Sequence, residues 1–209
     1  MRSLQDLARL ADELDVDLHE AVLASDSEAT GVMPEEIFNI IFSRLQDMRR
    51  SVEEARKNTN PCRLVRGDAG ALIREYADRG GMCGGFLLRA SAIAIEVASY
   101  NASMGRIVAA PTAGSCGILP GMLFSWEGSF GQDVDDSDRK LTEALIVAGA
   151  VGEVIANRAT LAGAEGGCQA ECGAAAAMGS AALVYLMGGD CDAVSNAVAL
   201  TLKSVLGLV

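Results

Sequence analysis

The stretch from residue 172 to residue 189 decides the fold class, because it carries no charge and consists largely of small residues. It reads Cys172-Gly-Ala-Ala-Ala-Ala-Met-Gly-Ser-Ala-Ala-Leu-Val-Tyr-Leu-Met-Gly-Gly189. Alanine is the strongest helix former, and small side chains let neighbouring helices approach closely. Across the whole chain only 4% of residues are aromatic, and the alternation of apolar and polar residues that is typical of strands is nearly absent. We therefore predict an all-α fold, a helical bundle-like domain rich in Ala and Gly.

The charged sequence at the other end of the chain predicts surface helices. Leucines recur at spacings of three and four from Leu4 to Leu18, which predicts one amphipathic helix within residues 1–24. Further helices are predicted over residues 33–57, 86–101, 141–158 and 192–206. Loops or turns are predicted at residues 58–67, 109–120, 128–138 and 163–167. We interpret residues 1–60 as a peripheral N-terminal helical arm and residues 61–209 as the main helical domain.

The charge and the apolar runs exclude several classes of partner. The net charge is −11, which disfavours binding to nucleic acids and to anionic membrane surfaces. Residues 1–24 lack the apolar core of a signal peptide, so we expect a cytoplasmic protein with reduced cysteines. Uncharged runs at residues 107–126 and 172–189 approach the length of a membrane span. Prolines interrupt the first run and small residues dominate the second, so we expect a loop and a buried helix instead.

A segment rich in glycine and hydroxyl residues is the first candidate site. It lies between Asn101 and Gly121 and contains Arg106, Thr112, Gly114 and Ser115. Glycine lets backbone N–H groups turn toward an anion, and an arginine can bind a carboxylate through two parallel hydrogen bonds. The segment is also compatible with a structural loop that caps a helix, in which Arg106 forms an ordinary ion pair.

The second candidate site contains two cysteines. Cys168 follows two glycines, and Cys172 lies four residues later, so on a helix the two would share a face. Thiolates suit iron–sulfur clusters or zinc, whereas two buried, inert cysteines are the structural alternative. His19 is the only histidine; it lies in a charged segment, so we predict a solvated surface side chain and not a general base. The remaining cysteines without ligand-like spacing are predicted to be structural: Cys62, Cys83 and Cys191.

Three long motifs resemble the alpha chain of the iron–sulfur-dependent L-serine dehydratase family. They are Met104-Gly-Arg-Ile-Val-Ala-Ala-Pro-Thr-Ala-Gly-Ser115 with the following Gly-Ile-Leu-Pro-Gly121, Gly163-Ala-Glu-Gly-Gly-Cys-Gln-Ala-Glu171, and Leu200-Thr-Leu-Lys-Ser-Val-Leu-Gly-Leu-Val209. The N-terminal arm, with Val32-Met-Pro-Glu-Glu-Ile37, is similar in layout. The resemblance covers essentially the whole chain in one consistent order.

The resemblance implies a lyase that converts L-serine to pyruvate and ammonia. Residues 61–209 would then be the catalytic domain, and a 4Fe–4S cluster held by three cysteines would leave one iron open as a Lewis acid for the substrate hydroxyl. Cys168 matches the first cluster ligand. The segment with Arg106, Thr112, Gly114 and Ser115 falls in the region that looks substrate-facing. The resemblance also implies a beta chain as partner, from which we expect the catalytic base, since no residue of this chain matches one.

The end of the chain departs from the family pattern. In the family, the run ending Leu-Gly-Leu-Val is followed at once by a Cys-Asp-Pro segment with the second ligand, and the third ligand follows shortly after. We therefore expect a truncated chain that cannot hold the cluster alone. Two alternatives remain open. The chain is a cluster-less, inactive helical fragment that only binds a partner, or Cys116 or Cys172, which match no family ligand, stands in for a missing thiolate.

Overall fold

The computed structural model describes residues 3–58 and 67–207. All regular elements in these two ranges are helical, so the predicted all-α fold is confirmed. The α-helices are α1 (Leu4–Leu14), α2 (Leu18–Thr30), α3 (Pro34–Lys57), α4 (Ala69–Asp78), α5 (Gly85–Ala102), α6 (Ile118–Phe130), α7 (Ser137–Arg158), α8 (Gly163–Cys168), α9 (Ala174–Leu186) and α10 (Cys191–Ser204). Short 3-10 helices lie at Ala113–Ser115 and Gly131–Asp133, and a π-helix at Gln169–Gly173.

The N-terminal leucine stripe belongs to two helices, so the prediction of a single helix is wrong. Helix α1 ends at Leu14, and Asp15 adopts a left-handed conformation with φ 54°. Asp17 then begins a new helix, because the Glu20 carboxylate accepts a hydrogen bond of 3.1 Å from the Asp17 backbone N–H. Aspartate tolerates the left-handed region better than most residues and favours positions just before a helix. Leu18 is therefore the first residue of α2.

Several predicted loops are shorter in the structure. The loop predicted over residues 109–120 ends when α6 begins at Ile118, and the loop predicted over 128–138 lies largely in α6 and a 3-10 turn. In the sequence alone, Pro120 indicates a loop. Proline is, however, tolerated in the first turn of a helix, where its missing N–H costs no hydrogen bond. The turn predicted at 163–167 is the short helix α8, and α4 was not predicted.

The chain divides into two compact units. Unit 1 comprises Met1–Leu45 and Asp138–Val209, and unit 2 comprises Gln46–Ser137. The boundaries of these units, after residues 45 and 137, differ from the single boundary after residue 60 that we predicted from the sequence. Residues 59–66, around that boundary, lie outside the described ranges, and the division into an arm and a catalytic domain stays a prediction.

Small residues form part of the interior of unit 1. The buried alanines of α7 and α9 are Ala144, Ala148, Ala150, Ala174, Ala175, Ala177, Ala181 and Ala182. A methyl group added to Gly152 of α7 would lie 2.9 Å from the end of the Met178 side chain of α9, so that side chain packs directly onto the glycine. In the described part of the chain no single helix is long and apolar enough to cross a membrane, although α7 and residues 163–186 together meet that test as a pair bent by 87°.

Unit 2 is built on close contact between α5 and α6. A methyl group added to Gly117 would lie 2.1 Å from the Ala94 carbonyl oxygen, and one added to Gly121 would lie 2.6 Å from the Ala90 carbonyl oxygen. Such distances are far below van der Waals contact, so these two positions require glycine. A buried cluster continues this interface and contains Val52, Ala55, Ile93, Val97 and Cys116. The connection between α5 and α6 is thereby held at both ends.

Candidate functional site

The connection between α5 and α6 carries the residues that the sequence placed near the substrate. Ser115 is buried, and its Oγ lies 3.2 Å from Thr112 Oγ1. The carbonyl oxygens of Ala110 and Thr112 both lie 3.4 Å from the same Oγ. Gly114 is exposed in the 3-10 turn beside them. The structure therefore brings Thr112, Gly114 and Ser115 together in one turn, with the Ser115 side chain inside and the Gly114 backbone outside.

Arg106 lies at the solvent-exposed start of the same connection. Its guanidinium Nη2 is 3.5 Å from Asp47 Oδ1, and the side chain is 83% exposed. Asp47 also forms an ion pair with Arg50 on α3. An exposed ion pair at this distance stabilises a protein by less than about 1 kcal/mol. This contact agrees with the alternative interpretation, in which Arg106 forms an ordinary ion pair in a structural loop. Because the guanidinium is so exposed, it is also accessible to the carboxylate of a ligand.

Asn101 is a functional candidate that the sequence analysis passed over. Its side-chain amide Nδ2 donates a hydrogen bond of 3.0 Å to the Ala113 carbonyl oxygen, across twelve positions. The bond ties the last turn of α5 to the first residue of the 3-10 turn that holds Gly114 and Ser115. Asn101 is the first residue of the candidate segment that ends at Gly121, and an amide in the last turn of a helix beside a glycine-rich loop is the signal that could have identified it.

Cys168 is exposed at the end of α8 in unit 1. Gly167, directly before it, has φ 69° and ψ −169°, a conformation that only glycine adopts readily. The π-helix Gln169–Gly173 follows, and such turns often lie at functional sites. Cys172 is partly buried on this turn, and its Sγ is 3.5 Å from Cys168 Sγ. The two thiols lie side by side, and the alternative of two buried cysteines is wrong for Cys168.

Burial distinguishes Cys172 and Cys116 from Cys168. Burial, together with the neighbouring Cys168 thiol and the Glu171 charge, raises the pKa of Cys172 to about 11. Burial likewise raises the pKa of Cys116, in the core of unit 2, to about 11. The alternative in which Cys116 or Cys172 replaces a missing thiolate stays a prediction. Cys83 is exposed and Cys191 partly buried, whereas Cys62 lies outside the described residues.

The donor set fits one ligand of an iron–sulfur cluster. An exposed thiol after a glycine turn is suited to bind iron, as proposed for Cys168. Within residues 3–58 and 67–207, no group of three or more His, Cys, Asp or Glu side chains is arranged to hold a metal ion. The described residues thus offer Cys168 but not a complete set of three thiolates. Cys168 belongs to unit 1 and the Arg106 segment to unit 2.

The prediction of a solvated His19 is wrong. The residue is only 6% exposed, and Nδ1 lies 2.8 Å from the Tyr185 hydroxyl. Nε2 lies 3.9 Å from Oε1 of Glu143, which is itself buried. Burial lowers the pKa of His19, although the Glu143 charge acts in the opposite direction. Because α2 begins at Leu18, His19 falls on the buried face of that helix, a position that the local sequence did not reveal.

Comparison with known proteins supplies the family. The family model described as serine dehydratase alpha chain matches residues 13–209. The chain is 34% identical over its full length to a probable L-serine dehydratase, alpha chain of Bacillus subtilis, covering 68% of that protein. It is also 34% identical over its full length to the L-serine dehydratase, alpha chain of Peptoniphilus asaccharolyticus, covering 71% of it. A probable L-serine dehydratase, alpha chain of Latilactobacillus sakei is 47% identical over 123 residues, which are 59% of this chain and 57% of that protein. By its sequence, its motifs and its helical fold, the chain belongs to the serine dehydratase alpha chain family.

Proposed function

We propose that this chain acts within a cytoplasmic L-serine dehydratase that converts L-serine to pyruvate and ammonia with a 4Fe–4S cluster and a beta chain. The observation that carries the proposal is the family match over residues 13–209. The name "L-serine dehydratase, alpha chain" of the Peptoniphilus relative supports both the substrate and the second chain. The exposed Cys168 thiol supports the cluster.

The residues of unit 2 would bind and orient the substrate. The exposed Arg106 guanidinium would bind the serine carboxylate through two charge-assisted hydrogen bonds. The exposed backbone at Gly114 and the Thr112 hydroxyl would orient the substrate from the neighbouring turn. Because Ser115 is 2% exposed and Thr112 Oγ1 is 3.2 Å from its Oγ, Ser115 would support the turn from within. Asn101 would hold that turn against α5 through the Ala113 carbonyl.

The Cys168 thiolate would be one ligand of the cluster, and the other ligands would come from outside the described residues. When bound, the cluster would supply a Lewis-acidic iron that assists departure of the serine hydroxyl. We place the general base on the beta chain. His19 is buried beside Tyr185 and Glu143, so it has neither the access nor the free nitrogen that proton removal from a substrate needs.

Replacement of the proposed ligand tests the function. The chain, extended by the Cys-Asp-Pro segment and the third ligand that follow it in the family pattern, would be reconstituted anaerobically with iron, sulfide and the beta chain, and bound iron and pyruvate formation would be measured. We expect wild-type protein to bind iron and form pyruvate, and Cys168→Ala to lose both. Cys191→Ala, which replaces a partly buried cysteine in the same unit, is the matched control and should keep both. Unchanged iron binding in Cys168→Ala would instead favour a partner-binding module without a cluster.

A further inference from the structure

Two thiols of unit 1 lie close enough to react with each other. The Sγ atoms of Cys168 and Cys172 are 3.5 Å apart. A disulfide bond is about 2.05 Å long, so the sulfurs must approach each other by about 1.5 Å. Rotation of the two cysteine side chains between staggered positions moves a sulfur by more than that distance. Side-chain rotation can therefore supply the approach of the two sulfurs.

The surroundings make one of the two thiols accessible and hold the other beside it. Cys168 is exposed, whereas Cys172 is partly buried. The glycine turn at Gly167 ends the regular course of α8 just before Cys168. An oxidant in solution can therefore reach Cys168 directly, and Cys172 is in place to attack the oxidised sulfur.

We propose that Cys168 and Cys172 form a reversible disulfide when the cluster-free chain meets a peroxide. The Cys168 thiolate attacks one oxygen of the peroxide and breaks the O–O bond, which yields a sulfenic acid at Cys168 and a hydroxide; the hydroxide takes up the proton that the Cys168 thiol lost on ionisation and becomes one water. The Cys172 sulfur then attacks the Cys168 sulfur, the S–O bond breaks, and the second water leaves with the Cys172 proton. In total, two thiols lose two electrons and two protons, and one hydrogen peroxide is reduced to two waters.

The consequence for the enzyme rests on the proposed function, in which Cys168 is a cluster ligand. A disulfide sulfur is no longer a thiolate and cannot hold iron in that way. Oxidation of the pair would thus prevent cluster assembly, and a dithiol reductant would restore it. The disulfide would therefore block iron binding by Cys168 reversibly. It would also protect Cys168 from irreversible oxidation to the sulfinic acid.

Cleavage at glutamate tests the disulfide directly, because Glu165 and Glu171 flank Cys168 and separate it from Cys172. The cluster-free chain would be treated with hydrogen peroxide, its remaining thiols alkylated, and the protein digested with a glutamate-specific protease. Peptide 166–171 contains Cys168, and peptide 172–209 contains Cys172 and Cys191. We expect mass spectrometry to find these two peptides joined, and to find them separate after dithiothreitol.

Two serine variants identify the partner of Cys168. Cys191→Ser should still give the joined peptides, and Cys172→Ser should not, while far-UV circular dichroism confirms that both variants keep their helices. Separate peptides from oxidised wild-type protein, or joined peptides from Cys172→Ser, would overturn the proposal.

A second measurement separates this proposal from the proposed function. Reduced and peroxide-treated samples of the chain, extended by the two further ligand cysteines of the family pattern, would each be reconstituted with iron, sulfide and the beta chain, and bound iron measured. We expect iron in the reduced sample only, with uptake by the oxidised sample restored by dithiothreitol. If the disulfide forms but the reduced sample binds no iron, the cluster function fails and the thiol chemistry stands. Equal iron uptake by both samples would show that the disulfide does not prevent cluster assembly.

Discussion

The Tyr185 hydroxyl lies 2.8 Å from Nδ1 of His19, which joins α9 to α2 within unit 1 across 166 positions of the chain. The hydroxyl can donate to the unprotonated nitrogen, which leaves the proton on Nε2, 3.9 Å from the Glu143 carboxylate. Arg139 and Lys140 lie 3.1 Å from the two oxygens of that carboxylate. Burial also raises the pKa of Tyr185, so both the phenol and the imidazole are neutral near neutral pH.

Removal of the Tyr185 hydroxyl should destabilise unit 1. In Tyr185→Phe, the buried His19 Nδ1 loses its partner, and an unsatisfied buried polar atom costs about 1–3 kcal/mol. We expect a decrease of that size in the free energy of unfolding, measured by urea denaturation. Tyr100→Phe, which removes a hydroxyl in unit 2, is the control. A Tyr185→Phe protein as stable as wild type would show that the hydrogen bond contributes nothing to folding.

His19 should make the protein less stable in mild acid. Burial lowers its pKa in the folded chain below the unfolded value of 6.5, so the unfolded state binds protons first as the pH falls. This contribution to stability is complete above pH 6.5 and is lost as the pH falls from 6.5 through the lower folded pKa. We expect the midpoint of thermal unfolding to decrease as the pH is lowered through this range.

The same titration in His19→Gln isolates the effect, because His19 is the only histidine in the chain. The variant should be less stable at pH 8 but should show a flatter dependence of the thermal midpoint on pH near 6.5. An equally steep dependence in the variant would assign the effect to the carboxylates nearby.

A single methyl group at Gly117 should disturb the packing of α5 against α6. The added carbon of Gly117→Ala would lie 2.1 Å from the Ala94 backbone oxygen, and backbone cannot yield as a side chain can. Overpacking of this kind costs about 1–3 kcal/mol and sometimes more. Gly128→Ala, within the helix α6 that Gly117 precedes, is the control, because its methyl group would meet nothing within 4 Å, and it should stabilise the helix by up to about 1 kcal/mol. Chemical denaturation of both variants checks the opposite signs.

Arg106 should contribute to serine binding in the reconstituted enzyme. Loss of hydrogen bonds to a charged group, at about 1.5–3 kcal/mol, corresponds to a decrease in kcat/KM of about 10- to 150-fold in Arg106→Gln. Most of the effect should be a higher KM, because the carboxylate is bound equally in the ground state and the transition state. Arg50→Gln is the control, since Arg50 contacts the same Asp47. If both variants lose activity equally, the effect belongs to Asp47 and α3, and direct substrate binding by Arg106 is wrong.

Local sequence was sufficient for most of the helices but not for their ends. The periodic leucines of α1 and the alanines of α9 identify helices because each turn repeats the same choice of residue. The break at Asp15 and the start of α6 at Ile118 depend on single residues whose signals are ambiguous. An aspartate occurs inside helices as well as before them, and Pro120 resembles a loop residue until its place in the first turn is known.

For the candidate sites, too, the sequence identified some residues and the structure was needed for others. Arg106 and the turn from Thr112 to Ser115 could be named from glycine, hydroxyl and charge patterns along the chain, and Cys168 from its motif. The support from Asn101 needed the structure, because an amide near the end of a helix suggests a contact with the following loop but does not specify the backbone carbonyl twelve positions away. The 3.5 Å separation of Cys168 and Cys172 needed it as well, since four-residue spacing predicts a shared face but not contact between the sulfurs.

By itself, the sequence determined that this protein is all-α and that it carries the motifs of one enzyme family. Both properties reside in residues that are neighbours along the chain, where helix propensity and motif spacing act. The tertiary structure alone decided that His19 is buried against Tyr185, that Ser115 points inward, and that the Cys168 thiol is exposed. Those outcomes depend on which distant segments pack together, because burial and hydrogen bonding between elements are set by the whole of a compact unit.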